Sequence, residues 1–245
     1  MKTKLFCLGL VLLFLVNMAY AEPLHLVTED YPPFSMRQNE QPTGNADDPL
    51  TGIAVEIVKE LFKRAGVEYT LQIYAWERSY NMALETPGYG VFCTFRTPER
   101  ESLFQWVGPL APNDWILMAK KSRNIRINSL EDACKYKIGD YKGDAIGAFL
   151  EKEGYNVEYS IHNYLNARKL DAEKIDLWAI GNLIGQYLVK RDGISGLEQV
   201  FLIKQTSMSL ALNKSVSADL IAKLNKTLQD MKDDGTVEKI YAVYR

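Results

Sequence analysis

Strand and helix signals alternate along this chain from Leu24 almost to its end, and the alternation runs through twice. Residues 24–28 read as a strand. Ile53, Ile57, Val58, Leu61 and Phe62 recur at helical spacing, with Gly66 where a C-cap belongs. Residues 69–74 read as a strand, 76–84 as a short helix and 91–94 as a buried strand. The pattern restarts beyond Lys120, with strands over 137–139, 157–161, 176–180 and 200–203. Helices are expected from Gly143-Asp144 onward, over 164–171 and over 183–190, Asp144 being a good N-cap. Residues 207–212 are extended again, and a long helix begins near Ser217.

Such alternation predicts mostly parallel sheet covered by helices on both faces. The extended segments 115–120 and 205–212 join the two runs. The expected architecture is therefore α/β in two lobes with a two-segment hinge. Residues 22–117 with 208–245 form the first lobe and 118–207 the second. Ligands bind beyond the carboxyl ends of strands in such sheets, so the cleft between the lobes is the expected site.

Residues 1–21 carry a different signal. Lys2 and Lys4 precede an apolar run over 5–16, and Ala19-Tyr20-Ala21 supplies a small-x-small pattern before Glu22. That predicts a cleaved secretory signal and a periplasmic mature chain of about 224 residues. The run is shorter than the roughly 20 residues of a membrane span. A location with no nucleotide supply excludes most enzyme classes. The net charge of −2 argues against a nucleic-acid partner. There is no Ser-His-Asp set and no metal-ligand cluster in the sequence, so neither cofactor nor metal is expected, and a monomer is. His25 and His162 read as structural. Cys93 and Cys134 either pair, as an oxidising compartment permits, or stay as separate thiols. A bridge between segments of different lobes would clamp the cleft.

Four segments then carry a resemblance: Thr28-Glu29-Asp30-Tyr31-Pro32-Pro33-Phe34, Gly52-Ile53-Ala54-Val55-Glu56-Ile57-Val58, Thr94-Phe95-Arg96-Thr97-Pro98-Glu99-Arg100 and Asp234-Gly235-Thr236-Val237-Glu238-Lys239-Ile240-Tyr241. In that order and spacing the chain resembles the periplasmic solute-binding proteins of the polar amino acid type, which deliver ligand to ABC importers. The resemblance implies the type II binding-protein fold, whose two lobes close on a small ligand. It implies that Arg100 grips a ligand carboxylate, as a guanidinium's paired donors suit. Thr94 and Arg96 stand at the strand end where the family meets that carboxylate. Tyr31 matches the family's stacking aromatic, and Trp76 and Arg78 point the same way from a strand end. Lys142, Gly143 and Asp144 form the turn that offers backbone N–H groups from a helix N-terminus.

Two positions depart from the family pattern. Asp144 stands where Ser or Thr is usual. Gly181 or Asn182 stands where an aspartate pairs with the ligand ammonium, which predicts a net cationic cleft and a ligand that is not a standard amino acid. The resemblance implies a receptor for a small carboxylate-bearing solute, with an importer permease as partner. A sensory protein serving a membrane receptor, or a secreted dehydratase-like enzyme on the same scaffold, are the alternatives.

Overall fold

The computed structural model describes residues 23–38 and 49–244. The expected signal segment and most of the polar loop over 38–51 lie outside the described residues. The first part of the chain runs β1 (Leu24–Thr28), a small antiparallel pair β2 (Met36–Arg37) and β3 (Leu50–Thr51), α1 (Ile53–Ala65), β4 (Tyr69–Ile73), α2 (Trp76–Glu85), β5 (Tyr89–Phe95), α3 (Pro98–Glu101) and β6 (Gln105–Pro112). It continues with β7 (Trp115–Lys120), β8 (Ile138–Tyr141), α4 (Ala145–Lys152), β9 (Val157–Ser160), α5 (Tyr164–Asp171), β10 (Leu177–Gly181), α6 (Asn182–Arg191) and β11 (Leu197–Lys204). The chain then returns through β12 (Ser207–Leu212) to α7 (Ala218–Asp233) and α8 (Thr236–Ala242).

Two five-stranded sheets result, in the orders β4-β1-β5-β12-β6 and β11-β7-β10-β8-β9. In the first, β1 pairs parallel with β4 and β5, while β12 runs against β5 and β6. In the second, β8 pairs parallel with β9 and β10, while β7 runs against β10 and β11. Each sheet thus has four strands pointing one way and one reversed. The reversed strand is the one by which the chain enters that sheet, coming away from the strand ends where the others finish.

The passages between sheets are shorter than the sequence suggests. β7 belongs entirely to the second sheet and β12 entirely to the first, so the chain crosses at residues 113–114 and 205–206. A boundary at 117/118 would cut through β7. Extended character alone cannot separate a hinge from a strand, which is why the expected segments reached too far. The crossings lie side by side: the Asn113 amide donates to the Thr206 carbonyl (3.0 Å) and the Thr206 amide to Asp114 Oδ1 (3.0 Å).

Local structure follows the sequence closely where apolar spacing sets it. α1 buries Ile53, Ile57, Val58, Leu61 and Phe62 on one face, and Gly66 ends it in the left-handed conformation (φ 61°). Its start is sealed rather than open. Gly52 has φ 126°, where a Cβ would sit 2.5 Å from the Phe34 carbonyl oxygen. That close approach lets the Pro33 and Phe34 carbonyls accept the Ile53 and Ala54 amides, each at 2.9 Å. Trp178 is fully buried in β10, its indole donating to Asn163 Oδ1 (3.2 Å). Cys93 is buried and Cys134 exposed, and both thiols are free.

Candidate functional site

The strand ends of the two sheets face each other, and the turns that follow them touch across the gap. Trp76, at the start of α2, donates its indole N–H to the Gly143 carbonyl at 2.7 Å. Arg100 Nη2 donates to the same oxygen at 3.2 Å, with its guanidinium 5.3 Å from the Trp76 ring centre and 5.1 Å from that of Tyr80. Gly143 holds φ 83°, and a Cβ there would press on the Trp76 ring at 2.9 Å, so glycine is what permits the contact. Lys142 pairs with Glu77 (3.4 Å) and Lys152 with Glu99 (2.7 Å) from opposite sides of the gap. The Tyr141 hydroxyl donates to Glu29 Oε1 at 2.8 Å.

Behind these contacts lies a cluster of buried acids. Glu29 is 8% exposed, and burial pushes its carboxyl up to about 8, against the opposing pull of the Tyr141 hydroxyl. Asp144 is raised to about 6 by burial, held down in part by Arg100 and by the first amides of α4. Asp140, fully buried, lies above its usual range through burial and the neighbouring Asp144 carboxylate. Tyr31 is buried as well, its hydroxyl accepting from Asn113 Nδ2 at 3.2 Å. Asn113 Oδ1, Asp140 Oδ2 and Asp144 Oδ2 are all buried acceptors without a hydrogen-bond donor in the structure.

Beside this cluster a cavity of about 1070 Å³ opens between the sheets. Glu29, Trp76, Glu77, Tyr141 and Lys142 line it near the contacts just described. Its other walls come from β9 and the two helices beyond, including Tyr159, Ile161, His162, Tyr164, Arg168, Tyr187 and Arg191. Arg168 and Arg191 both lie over the Tyr164 ring, at 5.6 and 5.9 Å, and both pair with Asp192, at 3.4 and 2.8 Å. The His162 ring stacks on Tyr164 with centroids 5.5 Å apart.

Of the residues expected from sequence, Trp76 and Lys142 line this cavity, and Gly143 shapes its edge. Arg100 lies between Trp76, Tyr80 and the Gly143 carbonyl and is not among the lining residues. Arg96 is exposed and paired with both oxygens of Glu101, and Arg78 lies 4.2 Å over the Tyr74 ring. Thr94 is buried with its hydroxyl on the Val91 carbonyl (3.2 Å). The seat at the start of α4, which the resemblance assigns to a ligand carboxylate, faces the protein's own Asp144 carboxylate.

The cationic cleft expected from the missing aspartate is present only weakly, because acidic groups share the lining. Glu29, Asp30, Glu77 and Asp192 stand beside Arg37, Lys142, Arg168 and Arg191 among the lining residues, and with the Glu29 carboxyl keeping its proton up to about pH 8 the cations exceed the carboxylates by one. A side chain at 181 has no room in any case, because its Cβ would collide with the Asn113 amide.

His162 stands at the cavity wall with its ring stacked on Tyr164. Tyr159, Ile161 and Tyr164 escaped the sequence reading although the end of β9 stands where the end of β8 does, and the same rule reaches them. Arg168 and Arg191 carry no such signal, since basic residues in the last turn of a helix are commonplace.

Two facing α/β sheets with a polar and aromatic cavity at their strand ends form the type II periplasmic-binding-protein architecture. The chain belongs to the bacterial extracellular solute-binding proteins, family 3, whose pattern it matches over residues 25–245. It is similar to the L-cystine-binding protein TcyJ of Escherichia coli (strain K12), 24% identical over 216 residues, covering 86% of this chain and 77% of that protein. It is also similar to the arginine-binding extracellular protein ArtP of Bacillus subtilis (strain 168), 24% identical over 227 residues, with 86% and 81% covered. Among solved structures, a histidine kinase sensor domain with similarity to periplasmic binding proteins shares the fold with a TM-score of 0.80. It is 17% identical, with 91% of this chain and 96% of that one covered.

Proposed function

We propose that the chain is a periplasmic receptor for a small charged solute, an amino acid or a related carboxylate-bearing compound, delivered to an ABC importer. The cavity of about 1070 Å³ between the two sheets carries this reading, because both acidic and basic groups line it. A zwitterion placed there finds partners for both charges, whereas a simple anion or cation finds only half of the wall useful. The names of the relatives, cystine-binding and arginine-binding, are of the same chemical kind. Native mass spectrometry of the gently purified protein tests the reading. A released zwitterionic solute that raises the melting temperature on re-addition is the expected result. If no small molecule from a broad set stabilises the protein, the receptor role fails; a ligand at 100 times its Kd stabilises by about 2.7 kcal/mol and would be seen.

In this reading residues 113–114 and 205–206 form the hinge between two lobes. Two adjacent crossings permit rotation and keep the lobes in register. Small-angle scattering is expected to show a smaller radius of gyration with ligand than without, and an unchanged radius at saturation would count against closure.

Arg100 enters the proposal as a clamp. Its contact with the Gly143 carbonyl, beside Asp144, joins the two sheets at the edge of the cavity. A charge-assisted hydrogen bond contributes about 1.5–3 kcal/mol, so Arg100→Ala should weaken binding roughly tenfold to a hundredfold by titration calorimetry. Because the clamp acts on closure, ligands with and without a carboxylate should lose alike. A loss confined to carboxylates would make Arg100 the anchor after all, and affinity within twofold of the parent would remove it from binding altogether.

A further inference from the structure

The wall of the cavity formed by β9, α5 and α6 is built differently from the rest. Among the described residues four large apolar side chains are exposed, and two of them, Tyr159 at 36% and Ile161 at 81%, line this cavity. Next to them the Tyr164 ring carries the guanidinium groups of both Arg168 and Arg191. The Asp192 carboxylate pairs with both arginines and Asp30 lies close enough to Arg191 to feel its charge, yet each guanidinium has five N–H donors and keeps some for a ligand. Two guanidinium forks fixed over one ring suit a planar anion. Glu29, with Tyr141 and Trp76, supplies the acidic end of the same cavity. The whole space reaches the upper limit of cavities that hold drug-sized molecules, well beyond one amino acid.

We propose that this wall is a second recognition subsite, and that the ligand is an extended zwitterion with its ammonium and carboxylate several bonds apart. The distal carboxylate meets Arg168 and Arg191, an apolar or aromatic body lies along Tyr159, Ile161 and Tyr164, and the ammonium faces Glu29. Short peptides have this chemistry. The inference rests on the receptor role proposed above and narrows the class of solute. An apolar body left in water at Ile161 gains by burial, while both charged ends keep partners.

The test compares L-phenylalanine, Gly-Phe and Gly-Gly-Phe with N-acetyl-Gly-Gly-Phe and Gly-Gly-Phe amide, by thermal shift and calorimetry on the mature chain. The tripeptide should bind at least tenfold more tightly than phenylalanine. Acetylation and amidation should each cost at least tenfold. The double variant Arg168→Ala/Arg191→Ala should lose at least tenfold for the tripeptide and little more for its amide. Both arginines are surface groups, so the variant is expected to fold, and circular dichroism checks that it does. Phenylalanine binding as tightly as the tripeptide, or a double variant within twofold of the parent, overturns the inference. If none of these compounds binds, the inference fails as well. A different solute released in native mass spectrometry would then leave the receptor role standing, and an empty spectrum with no stabilising compound would remove both.

Discussion

Replacing Glu29 by Gln is expected to stabilise the protein at pH 8 and to leave it nearly unchanged at pH 5. The Glu29 carboxyl is buried between the two sheets and is raised from 4.5 to about 8. Below pH 4.5 it is protonated whether the chain is folded or not, so it costs nothing. Between 4.5 and 8 the unfolded chain releases the proton while the folded one keeps it, and stability falls as pH rises. Each unit of separation is about 1.36 kcal/mol, which sets a ceiling on the order of 4–5 kcal/mol by pH 8. Gln keeps an oxygen for the Tyr141 hydroxyl and has no proton to lose. Opening of the lobes relieves part of the cost by hydrating Glu29, so the measured gain should fall below that ceiling. Thermal melts of parent and variant at pH 5 and pH 8 decide the matter. A difference of several degrees confined to the higher pH is expected, and an equal difference at both would show that Glu29 ionises freely. The same variant should bind an ammonium-bearing ligand more weakly, since an approaching cation favours release of the Glu29 proton to solvent and so gains a counter-charge that the amide cannot supply.

That group illustrates how far the sequence could be read. The strands and helices were legible because apolar spacing and caps set them: residues 164–171 and 207–212 were placed to the residue, Gly66 took the cap position expected, and the last long helix begins next to Ser217 as expected. β6 was missed, because Gly108, Pro109 and Pro112 within Gln105–Pro112 read as loop, although edge strands tolerate such residues. The cleft was legible from topology, and Trp76 and Lys142 from their place after strand ends. What no pattern showed was the state of the cleft acids. Glu29 follows β1 beside Asp30, yet one turns into the interface and the other is exposed. Only the pairing of β1 between β4 and β5, and the placing of Tyr141 opposite, decide which. The family's anchor motif fixed where Arg100 stands and left open what it touches, because its contacts come from Gly143 and Tyr80, distant in sequence.

Gly181→Asp, one of the two changes (with Asn182→Asp) that would put an aspartate where the family's ammonium partner is expected, should damage the protein instead of improving it. Gly181 ends β10 beside the crossing at Asn113, and the Asn182 amide donates to the Asp114 carbonyl at 2.8 Å. A Cβ at 181 would collide with the Asn113 amide, which is fully buried and held by the Tyr31 hydroxyl. Overpacking of this kind costs about 1–3 kcal/mol, and a carboxylate forced into the same space without a cation costs several more. The loss should be on the order of 3–5 kcal/mol in denaturant unfolding. Truncating the obstacle tests the cause. The double variant Asn113→Ala/Gly181→Asp opens the space that Asn113 occupies, so it should be more stable than Gly181→Asp alone, although Asn113→Ala by itself leaves a gap and an unserved Tyr31 hydroxyl. A Gly181→Asp variant within about 1 kcal/mol of the parent, or no rescue in the double variant, would show that Asn113 is not what keeps position 181 free of a side chain.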